Sequence, residues 1–299
     1  MSWQISPKRR PCALGQSEDR PSARQCQPKH SWKSAPLGRP LGPSSLPVKL
    51  LTIHSFAVHG TASLKAMLSL LGTRLLPVPS LYLTGLTNLP GIRKFAVDFE
   101  PLLRGSLELA RLRGERLWLY VGYLGSPGQG ETILALREEF ADLIAGTIVD
   151  PVSGDHGRTY VPPEVIAVWP RLLAVADWAF PNYTELQLHS GLPLDQDDSS
   201  AYLQAFAARF PQLNFIATSL PDPAGIGLHL RWQGASYPHT HPRLSRNYGG
   251  TGDVFAAHFL ARHLFGQVAP PEAMRDAAEA TLAHLRRAIE ANEADLGLG

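Results

Sequence analysis

From Val48 to the C-terminus, short apolar runs alternate with segments whose apolar residues recur at helical spacing, and this alternation most restricts the fold. Residues 48–53 predict a buried strand, and residues 61–71 a helix with Leu64, Met67, Leu68 and Leu71 on one face. Further strands are expected at 74–79, 117–121, 146–149, 177–180, 213–218 and 227–232. Helices are expected at 98–113, 129–143, from Asn182 through Leu188, and in two long C-terminal stretches at 253–265 and 271 to about 292. A strand–helix succession without internal repeat implies an α/β fold, a single domain with a mostly parallel central sheet and helices on both faces.

The first 47 residues have a different texture. They carry eight Lys/Arg (Lys8, Arg9, Arg10, Arg20, Arg24, Lys29, Lys33, Arg39) against Glu18 and Asp19, with eight prolines and no apolar run longer than three residues. Such a segment cannot bury enough surface to offset its ordering entropy, so residues 1–47 are expected to be a disordered basic extension and residues 48–299 the folded domain. An inert extension from an upstream start is favoured over a basic arm for nucleic acid or acidic lipid. Both cysteines, Cys12 and Cys26, fall here, which leaves the body without disulfide, thiolate metal site or cysteine nucleophile. The net charge of +2 is therefore a basic arm added to a mildly acidic body. No stretch approaches the roughly 20 apolar residues of a membrane span, so no membrane partner is expected. The cysteine-free body suits a reducing cytoplasm, and no nucleic-acid partner is expected.

In an open α/β sheet, ligands bind beyond the carboxyl ends of the strands, and there the polar residues collect. Gly249-Gly250-Thr251-Gly252-Asp253 precedes the apolar run 254–260. Glycines at a buried helix's amino end leave backbone N–H groups open to an anion, with the helix dipole behind them. A carboxylate in that first turn can take a proton from a hydroxyl while the N–H groups hold charge on a transferring phosphate, which makes Asp253 a candidate general base. Asp150-Pro151-Val152-Ser153-Gly154-Asp155 runs from a strand into a turn with two carboxylates, suited to a phosphate-bound Mg²⁺ and equally to a plain turn. Asn182-Tyr183-Thr184-Glu185 has the spacing of a helix capping box, which explains it without any function.

In this order, these elements resemble the ribokinase superfamily, and within it the pyridoxal kinases. The matching residues are Ile53-His54-Ser55, Gly122-Tyr123-Leu124-Gly125-Ser126 with Gln129, and Asp150 to Asp155 with Gly157 and Tyr160. Ala176-Asp177, Pro181 to Leu186, Thr218-Ser219 and Gly250-Thr251-Gly252-Asp253 complete the set. The resemblance spans residues 48 to about 266. It implies ATP-dependent phosphorylation of the 5′-hydroxymethyl group of pyridoxal or a related vitamer, with ATP and Mg²⁺ and a homodimeric enzyme. It further implies Asp253 as base, with the amides of Gly250, Thr251 and Gly252 at the transferring group. Ser55, Ser80 and Tyr123 would then lie at the pyridine ring, and Asp150, Asp155, Tyr160, Glu185 and Thr218 at the nucleotide. Asp150, Asn182 and Glu185 would lie at the cation.

Three departures stand out. After Ser80 the chain reads Leu81-Tyr82-Leu83-Thr84, where pyridoxal kinases carry a polar stretch with a ring-side histidine. His54 replaces a glutamine, a change that can preserve a donor. Residues 237–246 do not align, and His239 and His241 are expected to be solvated loop residues. Zinc is not expected at His54 or His59. The alternatives are a kinase for another hydroxymethyl compound, such as a hydroxymethylpyrimidine, and a weakly catalytic paralogue that binds the vitamer as sensor or carrier.

Overall fold

The computed structural model describes residues 48–299 except 88, 195–197, 297 and 299. The expected basic extension, residues 1–47 with Cys12 and Cys26, lies outside the described residues. The chain begins β1 (Val48–Ala57), α1 (Ser63–Leu71), β2 (Leu75–Leu83), β3 (Lys94–Ala96), α2 (Phe99–Leu112), β4 (Arg116–Val121), α3 (Pro127–Glu139) and β5 (Ile144–Val149). A small hairpin of β6 (Gly154–Asp155) and β7 (Arg158–Thr159) follows, then α4 (Pro163–Ile166), α5 (Trp169–Leu173), β8 (Trp178–Ala179), α6 (Tyr183–Ser190) and α7 (Ser199–Arg209). The remainder is β9 (Asn214–Asp222), β10 (Gly225–Trp232), β11 (Ala235–His241), α8 (Thr251–Leu260), a π-helical turn at Ala261–Phe265, and α9 (Pro270–Glu290).

One 9-stranded sheet runs β11-β10-β9-β8-β5-β4-β1-β2-β3. It is parallel from β9 to β2, with antiparallel strands added at both edges. The central strands are buried on both faces and so read as continuous apolar runs. Leu51, Ile53, Leu119 and Val149 face the side of α2, α3, α5 and α7, where Leu107, Ile133, Trp169 and Phe206 meet them. Leu50, Tyr120, Ile148 and Ile216 face the side of α1, α8 and α9, with Met67, Phe255, Phe259 and Ala277. Helix α8 is buried around most of its circumference, as its run of apolar residues requires. No helix among the described residues is long and apolar enough to cross a membrane.

The strands reach further than the apolar runs suggest. β1 continues to Ala57, so His54 and Ser55 lie inside the strand rather than after it. β2 continues to Leu83, and its pairing with β1 passes from His54↔Pro79 to Ser55↔Leu81, leaving Ser80 as an unpaired bulge residue. Residues 235–241, part of the segment read as loop, form edge strand β11, in which Tyr237, His239 and His241 lie half-buried on one face. An edge tolerates Pro238 because its missing N–H faces no partner strand. The sequence reading has no counterpart for β3, the β6–β7 hairpin, α4, α5 or α7. Helix α3 starts earlier than expected, at Pro127, and ends at Glu139 rather than 143.

Candidate active site

The carboxyl ends of the parallel strands and the amino end of α8 meet at Asp253. Gly250 caps α8 with φ +86°. A Cβ there would lie 2.3 Å from the Thr61 carbonyl oxygen, so only glycine lets this turn seat against the β1–α1 connection. The first intrahelical bond runs from Val254 N–H to Gly250 O at 3.0 Å, and the N–H groups of Thr251, Gly252 and Asp253 precede it without an intrahelical acceptor. The Thr251 hydroxyl donates to Tyr248 O at 2.8 Å and pins the glycine turn.

Asp253 is held from two sides. Ser63 N–H donates to its Oδ2 at 2.7 Å, and His54 Nε2 stands 3.1 Å from its Oδ1. Ser63 opens α1 with φ +55°, a left-handed conformation uncommon for serine, and its hydroxyl accepts from Ser55 Oγ at 2.9 Å. Gly122 makes room for the His54 ring, since a Cβ there would lie 2.1 Å from it.

Ser80 does not point freely into an open site. Its hydroxyl donates to Tyr123 O at 2.6 Å, while Gln129 bridges Ser80 O at 2.6 Å and Gly125 N–H at 2.7 Å. The bulge thus fixes the glycine turn Gly122–Gly125 from the neighbouring strand. The buried Tyr123 ring has its hydroxyl 3.3 Å from Lys94 Nζ, a cation supplied by edge strand β3.

On the other flank, the Tyr120 hydroxyl donates to Asp150 Oδ2 at 3.0 Å. Burial and the neighbouring charge of Asp253 push the Asp150 carboxyl up to about 7. Glu185 is buried, and its oxygens accept from Ser153 N–H at 2.9 Å and Asn182 N–H at 3.0 Å. With Asn182 Oδ1 accepting from Glu185 N–H at 3.1 Å, the capping box is complete, so that explanation of the motif holds. Burial first, and the charge of Asp150 second, nevertheless hold the Glu185 carboxyl well above the ordinary range. Asn182 Nδ2 also ties down Gly154 O at 2.8 Å, and Thr184 Oγ1 accepts from Gly157 N–H at 2.9 Å, so the β6–β7 hairpin is anchored to the amino end of α6.

Of the remaining sequence-derived candidates, Thr218 lies beside Asn182, bridged to it in parallel register and donating its N–H to Pro181 O at 2.9 Å. Asp155 lies at the hairpin, exposed, with Oδ1 accepting from His156 N–H at 2.8 Å. The partly exposed Tyr160 follows that hairpin, its N–H donating to Ser153 O at 3.0 Å. His54, Asp150 and Asp253 offer ligand atoms within 4.8 Å of one another, and among the described residues they form the one such group. Tyr120, Ser63 and Lys94 escaped the sequence reading. Tyr120 is signalled only as a polar tip in an apolar strand, and Ser63 and Lys94 reach the site through a backbone conformation and a strand pairing that no local pattern encodes.

No family model matches the chain. A curated pyridoxine/pyridoxal/pyridoxamine kinase from Bordetella pertussis is 30% identical over 280 residues, covering 88% of this chain and 96% of its own. The pyridoxal kinase of Leishmania donovani, solved with ADP and pyridoxamine, superposes with a TM-score of 0.67 at 26% identity, over 82% of this chain and 88% of that one. The pyridoxal kinase of Entamoeba histolytica reaches a TM-score of 0.76 at 22% identity, over 85% and 93%, and shares the fold. Identity that extends across nearly the whole of the bacterial relative, on the sheet and glycine turn described above, makes this chain a member of the pyridoxine/pyridoxal/pyridoxamine kinase family.

Proposed function

We propose that the chain phosphorylates the 5′-hydroxymethyl group of pyridoxal and related vitamers, with ATP as phosphoryl donor. The observation that carries this reading is Asp253 at the unsatisfied amino end of α8, a carboxylate beside N–H groups without intrahelical acceptors. Phosphoryl transfer needs positioning and charge stabilisation more than covalent work by the protein. Asp253 accepts the hydroxyl proton as the substrate oxygen attacks the γ-phosphorus, and the bond from that phosphorus to the bridging oxygen breaks to release ADP. The amides of the Gly250-Thr251-Gly252 turn hold the charge spreading over the transferring oxygens, where a helix amino end is worth most. Ser55, Ser80 and Tyr123 line the ring side, with Ser80 limited to accepting because its hydroxyl proton is committed to Tyr123 O. Asp155, Tyr160 and Thr218 lie on the nucleotide side.

Mg²⁺ fits the acidic flank. Asp150 is raised by burial and the charge of Asp253, and Glu185 by burial and the charge of Asp150, a strain that a cation would relieve. Asp150 would hold it directly. Glu185, with both oxygens already accepting from amides, and Asn182 would act through bound water. When bound, Mg²⁺ supplies neutralisation of the phosphate oxygens. We further infer a cytoplasmic homodimer. The cysteine-free body supports the compartment, and the exposed Tyr82 and Phe95 on the β2–β3 edge support the dimer.

An ADP-release assay with pyridoxal, pyridoxine, pyridoxamine and hydroxymethylpyrimidine tests this reading. ADP release with the three vitamers is expected. Release with the pyrimidine alone would replace the substrate, and tight pyridoxal phosphate binding without turnover would make the chain a carrier or sensor.

A further inference from the structure

The His54 imidazole touches Asp253, and no role above uses it. We propose that His54 is a positioning residue for the phosphoryl-transfer base, its Nε2–H donating to Asp253 Oδ1 and fixing the rotation of the carboxylate. The proposal rests on the reading of Asp253 as base.

The tautomer follows from what surrounds the ring. Ser55 N–H lies 2.9 Å and Tyr123 N–H 3.4 Å from Nδ1. Two donors aimed at one nitrogen need a lone pair there, so the ring N–H sits on Nε2. That nitrogen is buried, stands 3.1 Å from Asp253 Oδ1 off the line of a well-formed hydrogen bond, and has no other partner. A protonated Nε2 can neither accept a proton nor ligate a cation, which leaves donation to Asp253 as its chemistry. A cation placed among His54, Asp150 and Asp253 would therefore meet two carboxylates and an N–H, not three ligands.

The ring has little freedom to leave. It is 2% exposed, Gly122 presses against one side, and the Tyr120 ring lies near parallel at 6.4 Å. Ser63 N–H already fixes Oδ2, and donation from His54 Nε2–H, 3.1 Å from Oδ1, would fix the other end of the carboxylate. Catalytic groups must be held within about 0.5 Å of productive geometry, so losing one tether lowers the rate of transfer more than the affinity for ATP.

Two variants of the full chain separate positioning from folding. His54→Leu keeps bulk and removes the donor, and turnover should fall about 10- to 100-fold, the range for losing one hydrogen bond to a charged group, with KM for ATP within about twofold. His54→Gln restores an N–H donor and should recover turnover to within about threefold of the wild type. Wild-type turnover in His54→Leu, or an equal loss in both variants, would overturn the proposal. Nitrogen-15 NMR of the imidazoles reads the same contact without turnover. An unprotonated Nδ1 and a protonated Nε2 that shifts in Asp253→Asn are expected, and the opposite tautomer refutes the tether. If the wild-type chain releases no ADP with any vitamer, the kinase reading fails, while the NMR result still decides the His54 contact.

Discussion

Replacing Asp150 by Asn should make the ligand-free protein more stable at pH 8 while reducing its activity. The Asp150 carboxyl, ordinarily near 3.8, is pushed up to about 7 by burial and by Asp253. The folded chain thus binds this proton more tightly than the unfolded chain. Its stabilising contribution is fully present below pH 3.8 and is lost as pH rises to about 7. At about 1.4 kcal/mol per decade, keeping the group ionised above pH 7 costs the fold about 2–4 kcal/mol once partial solvent access is allowed for. Asparagine removes the charge and keeps an oxygen to accept from the Tyr120 hydroxyl. Because Asp150 also raises Glu185, the relief is reinforced there. Urea unfolding of both proteins between pH 4 and pH 8, without nucleotide or Mg²⁺, should show a stability difference near zero at pH 4 that grows to a plateau above about pH 7. Mg²⁺ with ATP should narrow the gap, since ligands that bind the folded state stabilise it. A difference that stays flat with pH, or a variant less stable at pH 8, would refute the claim that the acidic flank is held together at a cost in stability.

Two other substitutions probe the packing around the base, and a third the cation flank. Gly250→Ala forces a Cβ into the Thr61 carbonyl at a positive φ, so it should destabilise by about 1–3 kcal/mol in urea unfolding and lower turnover; wild-type stability would contradict the fit. Gly122→Ala pushes against the His54 ring and should lower turnover about tenfold or more, read by steady-state kinetics, with KM for ATP little changed. Glu185→Gln should raise the Mg²⁺ concentration for half-maximal activity, and an unchanged titration would remove Glu185 from the cation site.

The parallel sheet, the buried α8 and the glycine turn were legible because each has a local cause: continuous apolar runs, apolarity around a helix, and glycines at its start. The extents of β1 and β2 were not. Polar His54, Ser55 and Ser80 look like strand ends, yet neighbouring strands still pair with β1 and β2 beyond them, and the bulge at Ser80 exists only in the pairing of the two. β11 read as loop because Pro238 and the histidines depress strand propensity, whereas an edge position tolerates them. Asp253, Asp150 and Glu185 could be named from motifs. The groups that hold Asp253 could not, because Ser63 lies 190 residues away in sequence and acts through its backbone N–H. His54 was visible as a donor, but its partner was not.

The measurement that bears most directly on the account is pyridoxal phosphorylation by Asp253→Asn. Asparagine keeps the size of the side chain and one oxygen for the Ser63 N–H, so the fold and ATP binding should persist. Without the base, pyridoxal-dependent ADP release should fall by about 10²- to 10⁴-fold. Turnover close to that of the wild type in a folded, ATP-binding variant would contradict the assignment of Asp253 as the residue that accepts the hydroxyl proton.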